Sequence, residues 1–324
     1  MMPSFSFEME AVPPFRLDFS VWALRRRPYN IIDRWDGETY RRVLVIQDIP
    51  LEIAVFQPDK SDTTLQVSVS GADLTDKLKS TIVGVIETML GTRRDCTGFY
   101  KIASRDDNLY SLSNRFKGLK PPRFPTVFEA LVNGIACQQL SIEFGITLLN
   151  RLTKAVGKSL TLDSGIVYAF PSPHEVSLLT DEDLRGMSFS KQKARALFEL
   201  ARTMIDSGLG IEDSAELSNE KVSEKLQELR GVGRWTAEYV MLRGLTRLDV
   251  FPGDDVGAQK SLQNWLDLPT RPSYDEVNQA MKPWYPYAGF IYFHFLLAGL
   301  ADKGHVADAY SATKNGVPKR PQKL

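Results

Sequence analysis

Residues 226–259, LQELRGVGRWTAEYVMLRGLTRLDVFPGDDVGAQ, restrict what this chain can fold into more than any other stretch. The order is helix, tight hairpin, helix, Pro/Gly loop, then two acidic residues at the start of another helix. The hairpin is Gly231-Val232-Gly233, where glycine tolerates a left-handed backbone and leaves no side chain between the chain and a ligand. Consecutive N–H groups at the start of the following helix are unpaired, outward-facing and partly positive. A phosphate of a DNA backbone is the natural anion for such a site. Downstream, Pro252-Gly253 forces a turn that delivers Asp254 and Asp255 together.

Bulk properties narrow the field without identifying an activity. The chain has 324 residues, enough for two or three domains with a full core. Lysine plus arginine equals aspartate plus glutamate at 40 each, so net charge carries no nucleic-acid footprint. Contact with DNA has to come from local clustering and backbone dipoles. The two cysteines, Cys96 and Cys137, cannot form a four-thiolate cluster, and the three histidines show no zinc-ligand spacing. Without a long apolar run or a signal peptide, the expectation is an intracellular, cytoplasmic protein that does not engage a membrane.

Taken in order, residues 1 to about 72 read as β-rich. Segments 51–55 (LEIAV) and 65–70 (LQVSVS) alternate with period two around a turn at 58–62 (PDKSD), predicting an antiparallel hairpin. Residues 41–46 (RRVLVI) predict a neighbouring strand. From 73 to 90, Leu74, Leu78, Ile82, Val85, Ile86 and Met89 share one helical face, and Gly91 ends the helix. The polar segment 92–117 reads as a second helix or a connector. Three prolines in 118–125 (GLKPPRFP) mark the clearest boundary, and helical periodicity follows to about residue 304. One amphipathic helix begins at Thr126 and leads into Cys137-Gln138-Gln139-Leu140-Ser141, and a further apolar helix follows, closed by residues 170–173 (FPSP). A turn at 185–190 precedes a helix start at Lys191. Residues 282–284 (KPW) lead into an aromatic helix over 287–297, which is expected to return to the earlier helical domain. The tail from about residue 306, with Lys314, Lys319, Arg320 and Lys323, is expected to be mobile.

The hairpin, the Gly/Pro loop and the aspartate at its distance together resemble the helix-hairpin-helix Gly/Pro-Asp superfamily of base-excision glycosylases. Within it, GVGRWTAEY and the DVF segment before paired aspartates resemble the 3-methyladenine DNA glycosylase II family. The likeness runs from about Gly118 to Gly304 and is weaker before it. It implies an α+β protein: an N-terminal antiparallel β-sheet domain with helices (1–117), then two mostly α-helical domains. One comprises 118–180 plus 281–305, and the other, 181–280, carries the helix-hairpin-helix. The implied activity is a monofunctional DNA glycosylase that removes alkylated purines of the 3-methyladenine type from duplex DNA, acting as a monomer with no catalytic cofactor. Two alternatives stay open: a glycosylase for oxidised or deaminated bases, and a non-catalytic helix-hairpin-helix DNA-binding protein. The cysteine count departs from the superfamily's iron–sulfur branch.

By the same resemblance, Asp255 is the catalytic carboxylate, an anion placed to stabilise the oxocarbenium-like sugar as the base departs. Helix N-capping alone accounts for many such aspartates. Asp254 is expected to cap or support, and for Asp255 the catalytic and capping roles can coexist. Bifunctional members carry a lysine where this chain has Trp235, so no amine is available there for a Schiff base. Trp235 and Tyr239 share a helical face and are implied to stack on the flipped base, along with Phe293; core packing is the alternative reading for these rings. Val256 and Phe293 depart from the family's usual pocket residues. Leu140 matches the residue that fills the gap left by the flipped nucleotide, with Gln139 beside it at the DNA. Gly231, Val232, Gly233 and Arg234 are implied phosphate contacts, and Lys191 and Lys193 are further candidates. Backbone carbonyls of Gln227, Leu229 and Val232 are implied ligands of a structural monovalent cation at the hairpin. His294 and Cys137, among apolar neighbours, are expected to be packed and not reactive.

Overall fold

The computed structural model describes residues 3–210 and 216–307. Residues 308–324, nearly all of the expected mobile tail, lie outside the described residues. The chain opens with a five-stranded antiparallel sheet of order β1-β5-β4-β3-β2, formed by β1 (Ser4–Glu10), β2 (Arg34–Trp35), β3 (Thr39–Ile46), β4 (Ile49–Phe56) and β5 (Thr64–Ser70). The expected hairpin is the β4–β5 pair, in register Val55 to Val67 and Ile53 to Val69. Period-two alternation turns Leu51, Ile53, Val55, Leu65, Val67 and Val69 to one buried face. The helix expected next is α2 (Asp76–Leu90), whose Ile82, Ile86 and Met89 join the core built on that face. It is capped by Thr75 and ended by a left-handed Gly91, so Leu74 lies outside it, exposed.

Three elements depart from the sequence reading. Helix α1 (Leu17–Arg25) interrupts the β-rich region, and all nine of its residues are buried, so no amphipathic period exposes it to inspection. Residues 92–117 form two helices, α3 (Thr97–Ala103) and α4 (Asp107–Arg115), where a single helix or a connector was expected. A small hairpin, β6 (Ser159–Leu162) with β7 (Gly165–Tyr168), lies within the region read as helical and reaches the main sheet through a bridge from Ala169 to Val43.

The helical part comprises α5 (Val127–Cys137), α6 (Ile142–Val156), α7 (Pro173–Ser177), α8 (Asp181–Gly186), α9 (Lys191–Asp206), α10 (Asn219–Gln227), α11 (Arg234–Arg243), α12 (Val256–Trp265), α13 (Tyr274–Met281) and α14 (Ala288–Asp302). Ser and Thr side chains cap α5, α6 and α9. One core joins the inner sheet face to α5, α6 and α9, and a second joins α3, α4 and α12 to α14. Helix α11 contributes to both, with Tyr239 and Val240 in the first and Leu242 in the second. Its second half therefore runs between the two cores. Among the described residues, no helix is long and apolar enough to cross a membrane.

His294, on α14, is fully buried among Phe99, Phe116 and Phe290. Its Nδ1–H donates to the Phe290 carbonyl (2.8 Å) and Nε2 has no partner, so the ring is neutral. Burial lowers its pKa from 6.5 to about 4. The unfolded chain therefore takes up a proton below pH 6.5 that the folded chain refuses until about pH 4. Stability present above pH 6.5 is lost as pH falls through that window, by roughly 3 kcal/mol. Urea unfolding at pH 7 and pH 4 checks this: His294→Leu is expected to lose about that much less than the wild type between the two pH values.

Candidate active site

The hairpin follows α10, and only its first glycine is left-handed. Gly231 has φ +78, and a Cβ there would lie 2.8 Å from the Ala196 methyl. Gly233 is extended and N-caps α11 with no side chain over the first amides. Val232 is buried, and its N–H closes the turn on Leu229 O at 3.1 Å. The hairpin is braced from α5: Gln138 Nε2 donates to Gly231 O (2.7 Å) and to Thr236 Oγ1 (2.6 Å). The Leu229 carbonyl keeps a second lone pair, so the hairpin retains oxygen capacity for a hard cation of the kind the resemblance implies. Among the described residues, no group of His, Cys, Asp or Glu could hold a metal ion.

A cleft of about 1040 Å³ opens beside the hairpin, walled by the N-termini of α11 and α12, the loop after α5, and α14. Asp255 stands on its wall as the N-cap of α12, Oδ1 accepting from Ala258 N–H at 2.8 Å. Its Oδ2 faces two further donors, Trp235 Nε1 (3.2 Å) and Tyr292 OH (3.3 Å). A carboxylate met by three donors is held in one orientation. Burial first, then the Asp255 charge, push the Tyr292 phenol well above its ordinary range, so it acts here as a neutral donor.

The structure sorts the remaining expected residues. Trp235 lines the cleft and stacks on Tyr239 at 5.4 Å between centroids. Tyr239 shares that helical face but is 2% exposed and lies behind the indole, its hydroxyl accepting from Arg26 Nη1 at 3.0 Å. Tyr239 therefore supports the wall and does not line it. Phe293 is corrected: it is fully buried beside Arg243, while its neighbour Tyr292 faces the cleft. Leu140 is 40% exposed on the cleft's rim, next to an exposed Gln139 whose φ is +52, a loop geometry and not a core one. Val256, exposed, borders Asp255. Arg234 is not a free phosphate ligand, because it forms a two-bond pair with Asp254 (2.7 and 3.0 Å). Lys193 is likewise committed, donating to Ala136 O and Gln138 O at the end of α5 (both 2.8 Å). Lys191 is exposed at the first turn of α9.

Tyr292, Gln138 and Arg26 were not picked out from sequence. Gln138 stands two residues before Leu140 and was within reach of the same reasoning. Arg26 caps α1 in a left-handed conformation (φ +61), and its Nη2 donates to Asn133 Oδ1 at 2.6 Å. Nothing local in the sequence predicts that.

A family model described as HhH-GPD superfamily base excision DNA repair protein matches residues 132–286. The DNA-3-methyladenine glycosylase of Bacillus subtilis (strain 168) is 25% identical over 280 residues, 86% of this chain and 92% of that protein. A solved 3-methyladenine DNA-glycosylase from Archaeoglobus fulgidus superposes with a TM-score of 0.79 over 90% of this chain and 97% of that one; at 21% identity this likeness is one of fold. A 3-methyladenine DNA glycosylase of Schizosaccharomyces pombe, solved in complex with abasic DNA, is 27% identical with a TM-score of 0.53, covering 64% of this chain and 98% of that one.

Proposed function

Because the chain belongs to the HhH-GPD superfamily of base excision DNA repair proteins, we propose that it is a monofunctional DNA glycosylase, hydrolysing the N-glycosidic bond of alkylated purines of the 3-methyladenine type in duplex DNA. The observation that carries this reading is Asp255, held by Ala258, Trp235 and Tyr292 on the wall of a cleft beside the hairpin. The names of the relatives in Bacillus subtilis and Schizosaccharomyces pombe support the same substrate class.

In this reading the amides of Gly231 and Gly233 grip a backbone phosphate, while the Val232 N–H stays in the turn on Leu229 O and makes no phosphate contact. The carbonyls of Gln227, Leu229 and Val232 would hold a monovalent cation, which would supply positive charge beside that phosphate. Leu140, flanked by Gln139, enters the stack and the damaged nucleotide rotates into the cleft. The base lies against Trp235. An alkylated purine is cationic, so stacking on that electron-rich ring contributes roughly 0.5–2 kcal/mol, and the base is already a good leaving group. As the C1′–N bond lengthens, positive charge grows on the sugar and the Asp255 carboxylate stabilises it. The carboxylate also orients the attacking water, whose oxygen bonds to C1′ and whose proton is released. The products are the free base and an abasic site. Trp235 offers no amine for a Schiff base. The protein acts on DNA as a monomer.

The test is incubation of the protein with N-methylated duplex DNA, followed by chromatography of released bases and borohydride treatment of the complex. Free 3-methyladenine with no covalent adduct is expected. A trapped adduct would overturn the hydrolytic mechanism and point to Lys303, which lies at the cleft rim. Absence of base release from a protein that still binds the duplex would overturn the substrate class. In the same assay Leu140→Ala is expected to lower kcat/KM about tenfold to a hundredfold, with unstacking energies of a few kcal/mol per step at stake. An unchanged value would remove Leu140 from the mechanism.

A further inference from the structure

The loop that presents Asp254 and Asp255 is clamped at Gly253. The Gly253 N–H donates to Glu238 Oε2 (3.1 Å), and its carbonyl accepts from Gln259 Nε2 (2.8 Å). Glu238 Oε1 accepts from the Tyr274 hydroxyl at 2.6 Å. The Tyr274 ring packs under the Arg234 guanidinium, 3.6 Å from its centroid, and Arg234 in turn holds Asp254. A Cβ on Gly253 would lie 2.7 Å from the Tyr274 ring, so glycine lets the loop seat directly on it. Glu238 itself is 7% exposed and stands three residues after Trp235 on α11. One carboxylate thus links the helix that carries Trp235, the loop that carries Asp255, and α13.

We propose that Glu238 is a positioning residue, whose carboxylate grips the Gly253 amide and the Tyr274 hydroxyl and thereby sets how firmly Asp255 is held beneath the reacting sugar. This rests on the role given to Asp255 above.

The brace has its own pH dependence. Burial raises the Glu238 carboxyl to about 7; the Tyr274 hydroxyl and the Gly253 amide hold it down, nearby Asp254 raises it, and Arg234 lowers it. Above that pH, both donors make charge-assisted bonds to a carboxylate. Below it, the acid's own O–H turns onto the Tyr274 oxygen, and the remaining carbonyl oxygen gives Gly253 a weaker neutral bond. The grip therefore loosens as pH falls through about 7.

Two readouts test this. In NMR spectra of the full-length protein, the Gly253 amide shift is expected to titrate with a midpoint near 7, and the titration is expected to vanish in Glu238→Gln. In single-turnover base release, the wild-type rate is expected to fall about threefold to tenfold from pH 8 to pH 6 at unchanged KM for DNA. Glu238→Gln, whose amide reproduces the acid's bonding, is expected to run flat at the wild type's low-pH rate. Tyr274→Phe removes a bond that holds the pKa down and is expected to move the limb to higher pH. A Gly253 amide that does not titrate, or a Glu238→Gln protein that keeps the wild-type limb, overturns the proposal. If the wild type releases no base, the functional reading fails separately, and the Gly253 titration alone decides on the brace.

Discussion

Asp255→Asn is expected to lower single-turnover base release on the order of 10³-fold while leaving affinity for lesion duplex unchanged. The geometry separates the two effects. Asparagine keeps the oxygen that accepts from Ala258 N–H, so the cap of α12 survives. What disappears is the negative charge between Trp235 Nε1 and Tyr292 OH, in a site partly shielded from water. A charge a few ångströms from a developing cation is worth several kcal/mol at the effective dielectric of such a cleft. Asp254 provides the internal control. Its carboxylate is paired with Arg234, so Asp254→Asn is expected to cost less than tenfold in rate. Quantifying released base at several pH values for the three proteins checks both expectations. Equal losses at the two positions would mean that the loop as a whole is being disturbed, not that one anion is missing.

The second large effect is on stability. Arg42 is 1% exposed and bridges the sheet to the helical body, with Nη1 on Asp33 Oδ1 (2.7 Å) and Nη2 on Glu129 Oε2 (2.5 Å). Tyr40 adds a hydrogen bond to the same Asp33 oxygen at 2.8 Å. Burial raises the Glu129 carboxyl even beside that guanidinium. Arg42→Leu leaves two buried carboxylates without their cation, and a broken buried network of this kind costs about 3–5 kcal/mol. The expected loss grows as pH rises, because the abandoned Glu129 carboxyl, already raised by burial, is easier to keep protonated at low pH. The triple variant Arg42→Leu, Asp33→Asn, Glu129→Gln removes the uncompensated charge and is expected to recover most of the stability. Urea unfolding from pH 5 to pH 8 measures both; a pH-independent loss in the single variant would mean that lost packing, not stranded charge, is responsible. Glu129 sits in the first turn of α5, whose far end carries Gln138, Gln139 and Leu140, so the network also anchors the rim of the cleft.

Where sequence and structure agree, a local rule dominates. Gly231 needs a positive φ, Pro252-Gly253 needs a turn, and strands β4 and β5 alternate cleanly, so each was legible from a few residues. Strand β1 follows the same alternation, Phe5-Ser6-Phe7-Glu8-Met9, and was open to the same reading. The misses have physical causes. Helix α14 is apolar around nearly its whole circumference, so periodicity cannot say that Tyr292 faces the cleft and Phe293 the core. Helix α1 has the same difficulty, being buried on all sides. Arg26, Arg42 and Arg243 are each no more than 2% exposed, against the ordinary expectation that arginine lies at the surface. Each has a partner far away in the sequence, Asn133 for Arg26, Glu129 for Arg42 and Ala23 for Arg243, so only tertiary structure reveals the pairing. Lys193 and Arg234 look like free cations in one dimension and are committed in three.

The central claim is that the cleft beside the hairpin receives a flipped nucleotide whose sugar becomes positively charged over Asp255. It is tested most directly by comparing the affinity for two duplexes, one carrying a neutral tetrahydrofuran abasic analogue and the other a cationic pyrrolidine at the same position. This measurement does not depend on which base the protein removes. The account predicts that the wild type prefers the cationic duplex about a hundredfold, and that Asp255→Asn loses most of that preference while binding the neutral duplex as before. Equal affinity of the wild type for the two duplexes, or a preference that survives in Asp255→Asn, would contradict it.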